Sequence, residues 1–120
     1  MRQEVKQAPI ARDESPEIIV ARLLIRAYTG DTTQVIATAK EIAGETVTSG
    51  RDLFDLACAS ALCRDTSLAI QLLHRTNTIG FFKHRESIER LRKEPALATL
   101  HSLEAYQKLL ADLDMKKTQP

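Results

Sequence analysis

The chain repeats its own pattern of small and apolar residues at an offset of 34 positions. At this offset Asp31 aligns with Asp65, and the segments on either side of the two aspartates align as well. The aligned pairs are small or apolar, namely Ile19 with Leu53, Leu23 with Ala57, Ala27 with Ala61, Val35 with Ala69, and Ala39 with Leu73. Such a period is typical of proteins that stack helix pairs, because small residues let the paired backbones cross closely. The repeat therefore predicts two similar helix hairpins.

Signals at the helix ends divide these hairpins into four helices. The first two predicted helices begin at polar N-caps, Ser15 and Asp31, and end at or near Gly30 and Gly44. The third is predicted to start near residues 49–51 and to end before Asp65, and the fourth to run from about Thr66 to the stop at residues 77–80. Ser15 is expected to cap through its side chain, with Pro16 in the first turn. Asp31 and Gln34 have the spacing of a capping box.

Apolar residues surround much of the first predicted helix. They are Ile18, Ile19, Leu23, Leu24, Ile25, Ala27 and Tyr28. This surface is wider than one buried stripe, so we expect the helix to be covered on more than one side. A last helix, with Ser102 as its expected N-cap, carries a narrower stripe at helical spacing, made of Tyr106, Leu109, Leu110 and Leu113. This helix is predicted to lie over the open end of the last hairpin.

The second hairpin resembles the tetratricopeptide repeat family. The residues that carry the resemblance are Leu53, Leu56 and Ala57 in its first helix, then Ala69 and Leu73 in its second. The chain departs from the family pattern at three positions: Ser60 replaces the usual aromatic residue, Arg64 the usual glycine, and Arg22 a leucine of the first hairpin.

The residues after the second hairpin resemble the end of tetratricopeptide arrays at the C-termini of bacterial serine/threonine protein kinases. The matching elements are Gly80-Phe81-Phe82, Glu94-Pro95-Ala96-Leu97 with Leu100, and Tyr106-Gln107 with Leu109, Leu110 and Leu113. The resemblance spans residues 18–113 and implies an all-α, tetratricopeptide-like superhelix. It would contain two helix hairpins, a short helix and a C-terminal capping helix. We expect a flexible segment over residues 1–14, the helical domain over 15–114 and a flexible tail over 115–120.

The charge balance gives no general attraction to nucleic acids or to anionic membranes. The chain has 17 basic and 16 acidic side chains, a net charge of +1, and only five aromatic residues on which bases could stack. The most basic stretch, Lys83 to Lys93, contains Glu86 and Glu89, which favours a solvated helix face with i,i+4 ion pairs over a phosphate-binding patch. No apolar run has the length of a membrane span or a secretory signal, so a cytoplasmic protein is expected.

No residue pattern indicates catalysis, a metal site or a cofactor site. Cys58 and Cys63 lie about 140° apart around a helix, so they are expected to be reduced, structural thiols. The three histidines lie in separate elements without ligand spacing. The motif at His84 to Ser87 has only a superficial likeness to a kinase catalytic loop, because it lacks the aspartate that accepts the proton. We therefore expect no enzymatic activity.

The resemblance implies a binding groove along the first helix of each hairpin. The positions that match its outward-facing residues are Arg51, Phe54, Cys58, Ala61 and Leu62, which are mostly apolar. Cys58 stands where the chaperone-binding members of the family have an asparagine of their carboxylate clamp. The alternative is that Phe54 and Leu62 pack beneath the N-terminal hairpin or the final helix.

Two functional hypotheses follow. The first is a non-catalytic interaction module that binds a peptide or helix of a protein partner, or a second copy of itself, as the regulatory or scaffolding end of a kinase-linked array. The second is a purely structural C-terminal cap of a longer array, without a partner site of its own.

Overall fold

A computed structural model describes residues 15–30, 32–43 and 49–118, and it describes side chains as far as residue 114. Within these ranges the protein contains helices and no strand, which confirms the predicted all-α class. The α-helices are α1 (Pro16–Tyr28), α2 (Thr32–Ala43), α3 (Gly50–Leu62), α4 (Thr66–Thr78), α5 (Arg85–Lys93) and α6 (Glu104–Thr118). Short 3-10 helices occupy Phe81–Lys83 and Pro95–Leu100. Residues 81–118 are termed the closing segment below.

Two polar side chains cap the helices of the second hairpin. The Ser49 hydroxyl accepts a hydrogen bond from the Asp52 N–H at 3.0 Å, and the Asp65 carboxylate accepts one from the Leu68 N–H at 3.1 Å. The predicted side-chain cap at Ser15 is wrong, because its backbone carbonyl, not its side chain, accepts from the first turn of α1. Asp31 lies outside the described residues, so the capping box with Gln34 stays a prediction.

Three helices end at a residue in the left-handed backbone region. Gly30 and Gly80 have φ of +94° and +93°, and Arg64 takes the same role after α3 with φ of +66°. The Arg64 N–H donates to the Ala61 carbonyl at 2.9 Å, and the Asp65 N–H donates to the Ser60 carbonyl at 3.0 Å. This pair of bonds is a Schellman motif, which glycine normally completes. Arg64 therefore adopts a conformation that a residue with a Cβ takes up less readily than glycine does.

Helix α3 lies at the centre of the described fold. It packs against α1, α2 and α4, and on a further side against the 3-10 helix Pro95–Leu100. Its buried residues are mostly small: Leu53, Phe54, Leu56, Ala57, Cys58, Ala59, Ser60 and Ala61. The small side chains let neighbouring helices approach, and the Ser60 hydroxyl donates to the Leu56 carbonyl at 2.9 Å. The residue that replaces the usual aromatic thus satisfies its own hydroxyl within the helix.

Helix α6 closes the fold at its C-terminal end. Tyr106, Leu109 and Leu113 are buried and Leu110 is half-buried, as the predicted stripe requires. The Tyr106 hydroxyl donates to the Leu91 carbonyl at 2.9 Å, which ties α6 to α5. Two boundaries differ from expectation. The helix begins one residue later than a cap at Ser102 would place it, and it continues to Thr118, beyond the predicted end of the helical domain.

Candidate partner-binding surface

The five candidate groove residues do not form an open groove. Phe54, Cys58 and Ala61 are buried, Leu62 is half-buried, and only Arg51 is exposed. Side chains that other parts of the chain cover in this way offer little surface to a protein partner. The residues share one helix as expected, but the chain itself covers the face that carries most of them.

An aromatic cluster from the closing segment covers Phe54. The ring of Phe54 lies 5.7 Å from that of Phe81 and 6.2 Å from that of Phe82, in tilted and edge-to-face arrangements. The Arg90 guanidinium lies 4.6 Å from the Phe54 ring centroid, within the range of a cation–π contact. The burial expected in the alternative is therefore present for Phe54. The aromatic and cationic groups in contact with its ring belong to the Phe81–Lys83 turn and α5.

Arg90 also joins α5 to α3 through charge. Its guanidinium donates to the Asp55 carboxylate at 2.9 Å and lies 3.7 Å from the Glu94 carboxylate. Burial raises the pKa of Asp55, and the neighbouring Arg90 offsets part of that shift. The start of α3 has no room for a larger residue, because a Cβ added to Gly50 would lie 2.7 Å from the Cβ of Phe81. The closing segment is thus fitted closely to α3.

Cys58 lies beneath this closure and has the character of a structural thiol. Burial raises its pKa far above the ordinary value, and the nearby carboxylates of Glu94 and Asp55 add to the shift. Both cysteines are free thiols. Within the ranges that the structure describes, no group of three or more His, Cys, Asp or Glu residues could hold a metal ion.

The outer face of α1 is apolar and uncovered by any described residue. Ile18, Ile25 and Tyr28 are 42%, 64% and 60% exposed, and Ala21 is also exposed. These four residues follow the spacing i, i+3, i+7, i+10, which places them on one side of the helix. We term them the α1 stripe. The buried residues Ile19, Val20, Leu23 and Ala27 lie on the opposite side and contact the core.

Tyr28, at the C-terminal end of the α1 stripe, lies within electrostatic range of the closing segment. Its pKa is raised by partial burial and by the negative charge of Glu94. Glu94 directly precedes the 3-10 helix that packs on α3.

The two outer helices differ in the surfaces that they expose. The exposed residues of α6 are mostly polar or charged, with alanine as the apolar exception: Glu104, Ala105, Gln107, Lys108, Ala111, Asp112 and Asp114. In a stack of hairpins a terminal unit needs such an outer face, because otherwise an apolar surface meets water. The α6 end meets this requirement and the α1 end does not.

The sequence pattern of α1 already indicates an apolar surface wider than the buried side of the helix. Apolar residues around most of the helix predict cover on more than one side, whereas the described residues cover one side only. The resemblance to tetratricopeptide repeats predicts a groove on α3. The exposed apolar surface instead lies one helix earlier.

The basic stretch in and before α5 makes two of the predicted i,i+4 pairs. Arg90 lies 3.7 Å from Glu94, and Lys93 lies 3.7 Å from Glu89. Arg92 forms a further ion pair with Asp114 of α6. The second half of this stretch therefore joins elements of the fold.

Comparison of the chain with protein-family models, with curated proteins and with solved structures finds no match. The described residues define an all-helical protein with one closed end and one apolar outer helix. Its relation to tetratricopeptide repeat proteins stays a prediction from the residues quoted above. No helix in the described part of the chain has the length and apolar character needed to cross a membrane.

Proposed function

We propose that this protein is a non-catalytic interaction module of tetratricopeptide-like architecture, which binds an amphipathic helix of a protein partner on the α1 stripe. The observation that carries the proposal is the exposure of Ile18, Ile25 and Tyr28 on one face of an outer helix. Contiguous exposed apolar residues with polar neighbours are a feature of protein-binding surfaces. Of the α3 positions expected to line a groove, all except Arg51 are buried or half-buried, so the proposed surface lies on α1.

The geometry of the stripe favours a helix as the ligand. From Ile18 to Tyr28 the stripe extends about 15 Å along the axis, at about 1.5 Å per residue. A partner helix would match this length with about three turns, presenting apolar residues at i, i+3 or i+4, and i+7. Glu17 and Arg22 border the stripe on its two sides, so the polar edges of the partner helix would meet charges of opposite sign.

The contrast between the two outer helices favours a second candidate function. A structural C-terminal cap of a longer array would expose a polar face at its end and an apolar face towards the preceding hairpin. The exposed residues of α6 and α1 have these respective characters. In this case the α1 stripe would be covered by a hairpin that precedes it in the same chain, as at the end of a kinase-linked array.

A matched pair of substitutions tests the proposed partner surface. Ile25→Lys places a charge in the middle of the stripe, whereas Ile79→Lys replaces an isolated isoleucine that is 49% exposed after α4. Both remove a similar apolar side chain from the surface. We expect partners captured from an extract of the source cells to be lost with Ile25→Lys and retained with Ile79→Lys. Hydrogen exchange of the complex should show protection at α1.

Three outcomes separate the candidates. Loss of capture with Ile25→Lys alone, together with protection at α1, supports the partner-binding module. Equal capture by both variants, or protection confined to another surface, contradicts it. Self-association of the isolated chain that Ile25→Lys abolishes, with no capture of another protein, supports the array cap. Sedimentation equilibrium measures that self-association directly.

A further inference from the structure

A second surface feature lies at the other end of the fold, where α4, α5 and α6 meet around the Phe81–Lys83 turn. It is a cavity of about 680 Å³. The described residues that line it are Asn77, Thr78, Gly80, Phe82, Lys83, Arg85, Ile88 and Leu113. This volume falls in the range of small-molecule sites, which are about 300–1,000 Å³. The cavity shares no residue with the α1 stripe.

The cations at this cavity differ from the others in the same basic stretch. Arg90, Arg92 and Lys93 each pair with a carboxylate of the chain. Lys83 and Arg85 make no ion pair with another described residue. None of the described lining residues is acidic. Two positive charges therefore line a cavity at which no described residue supplies a carboxylate to neutralise them.

The backbone around the cavity adds to the positive potential and places Lys83. A Cβ added to Gly80 would lie 3.3 Å from Lys83 Cε and 3.7 Å from its Nζ, so the lysine side chain lies across the bare glycine. Arg85 is the first residue of α5, and the N-cap His84 gives no side-chain hydrogen bond to that helix. The positive end of the α5 dipole therefore adds to the two side-chain charges at the rim.

The remaining walls of the cavity combine apolar and neutral polar groups. Phe82, Ile88 and Leu113 belong to three different elements and are almost wholly buried, so that only the edges of their side chains reach the cavity. Asn77 and Thr78 add side chains that can donate hydrogen bonds. An apolar base with a few convergent polar or charged groups is the usual construction of a site for a small organic ligand.

We propose that this cavity binds a small organic anion that has one anionic head group and an apolar body. Lys83 and Arg85 would bind the head group through charge-assisted hydrogen bonds. Phe82, Ile88 and Leu113 would contact the apolar body. A carboxylate and a phosphate head group satisfy the same donors, so the inference specifies an amphiphilic anion and leaves the head group to the experiment.

Four ligands with the same eight-carbon chain test this inference on the whole protein: octanoate, octyl phosphate, octanol and octylammonium. Amide NMR titration follows binding residue by residue. We expect the two anions to shift the amide signals of residues 77–88 in a saturable way. The neutral alcohol and the cation should bind at least about tenfold more weakly, since the alcohol carries no negative charge to pair with Lys83 and Arg85 and the ammonium accepts no hydrogen bond. The tighter of the two anions identifies the head group.

Substitutions with matched charge separate the cavity from a general electrostatic effect. Lys83→Gln with Arg85→Gln should weaken binding of the anions by at least about tenfold. Lys93→Gln with Lys108→Gln removes the same charge away from the cavity and should leave binding unchanged, as should the charge-conserving pair Lys83→Arg and Arg85→Lys. Equal weakening by both glutamine pairs, equal binding of octanol and octanoate, or shifts outside the cavity would overturn the proposal.

Discussion

The two outer helices of this molecule, α1 and α6, differ in the polarity of the face that they expose. At the C-terminal end the closing segment covers α3 and α4 and then exposes a largely polar face on α6. At the N-terminal end α1 buries one apolar side against the core and leaves a second apolar side exposed. An outer helix without a polar face retains surface that favours association. The difference indicates that the described C-terminal end faces solvent with a largely polar surface and that the N-terminal end is suited to a further contact.

Phe54→Ala, at the end of the fold that the closing segment covers, is expected to lower the free energy of unfolding more than any other substitution below. Phe54→Ala would empty the centre of a cluster formed with Phe81, Phe82 and Arg90. We expect a loss of about 3–5 kcal/mol in the free energy of unfolding, from lost burial and from the cavity left behind. Urea denaturation followed by circular dichroism measures this loss. A change below about 1 kcal/mol would mean that the closing segment is not packed on α3 in solution.

Tyr106→Phe tests the contact between α6 and α5, and it is expected to lower the free energy of unfolding by a smaller amount. Tyr106→Phe removes the hydrogen bond to the Leu91 carbonyl and leaves that buried acceptor without the hydroxyl. The expected loss of stability is about 1 kcal/mol at neutral pH. Chemical denaturation compares the variant with the natural protein, and an unchanged stability would contradict a buried, bonded hydroxyl.

The same substitution should change the response to alkaline pH. Burial raises the pKa of Tyr106 in the folded state above its ordinary value. Folding therefore favours the protonated phenol, and its contribution is fully present below about pH 10 and lost as the pH rises through the folded-state pKa. Tyr106→Phe should consequently lose less stability above about pH 10 than the natural protein does. Other titrating groups, Tyr28 included, are common to both proteins and cancel in this comparison.

Arg64 lies in the turn between α3 and α4 and is predicted to give an effect of opposite sign. Its positive φ strains a residue that has a Cβ, whereas Gly30 and Gly80 hold similar backbone angles without that strain. Arg64→Gly should therefore stabilise the fold by up to about 1 kcal/mol, reduced by the greater freedom of glycine in the unfolded chain. Thermal unfolding measures the gain. A clear loss of stability would show that the Arg64 side chain makes contacts that outweigh the strain.

The local structure was largely predictable because its signals are local. Ser49, Asp65 and Gly80 mark helix ends through bonds or backbone angles that involve residues only a few positions away. The left-handed turn at Arg64 was foreseeable from the glycine expected there. The sequence leaves burial of Phe54 as one of two alternatives, and it does not predict which residues lie over Phe54 and beside Cys58, since these are 27 to 36 positions later in the sequence. The resemblance to tetratricopeptide repeats identifies a face of α3 and does not predict which residues pack on it.

Ile25→Lys, in the exposed α1 stripe, is expected to have the smallest effect on stability. Ile25 is 64% exposed, so Ile25→Lys removes little buried surface, and lysine favours helix at least as well as isoleucine. We expect the free energy of unfolding to change by no more than about 0.5 kcal/mol, as for other surface substitutions. Ile79→Lys provides the control for a general effect of adding a charge. A loss above about 1 kcal/mol in a monomeric sample with Ile25→Lys alone would mean that the chain already covers its own stripe. Partner binding at α1 would then require that this cover be displaced, and the contrast between an open and a closed end would no longer hold.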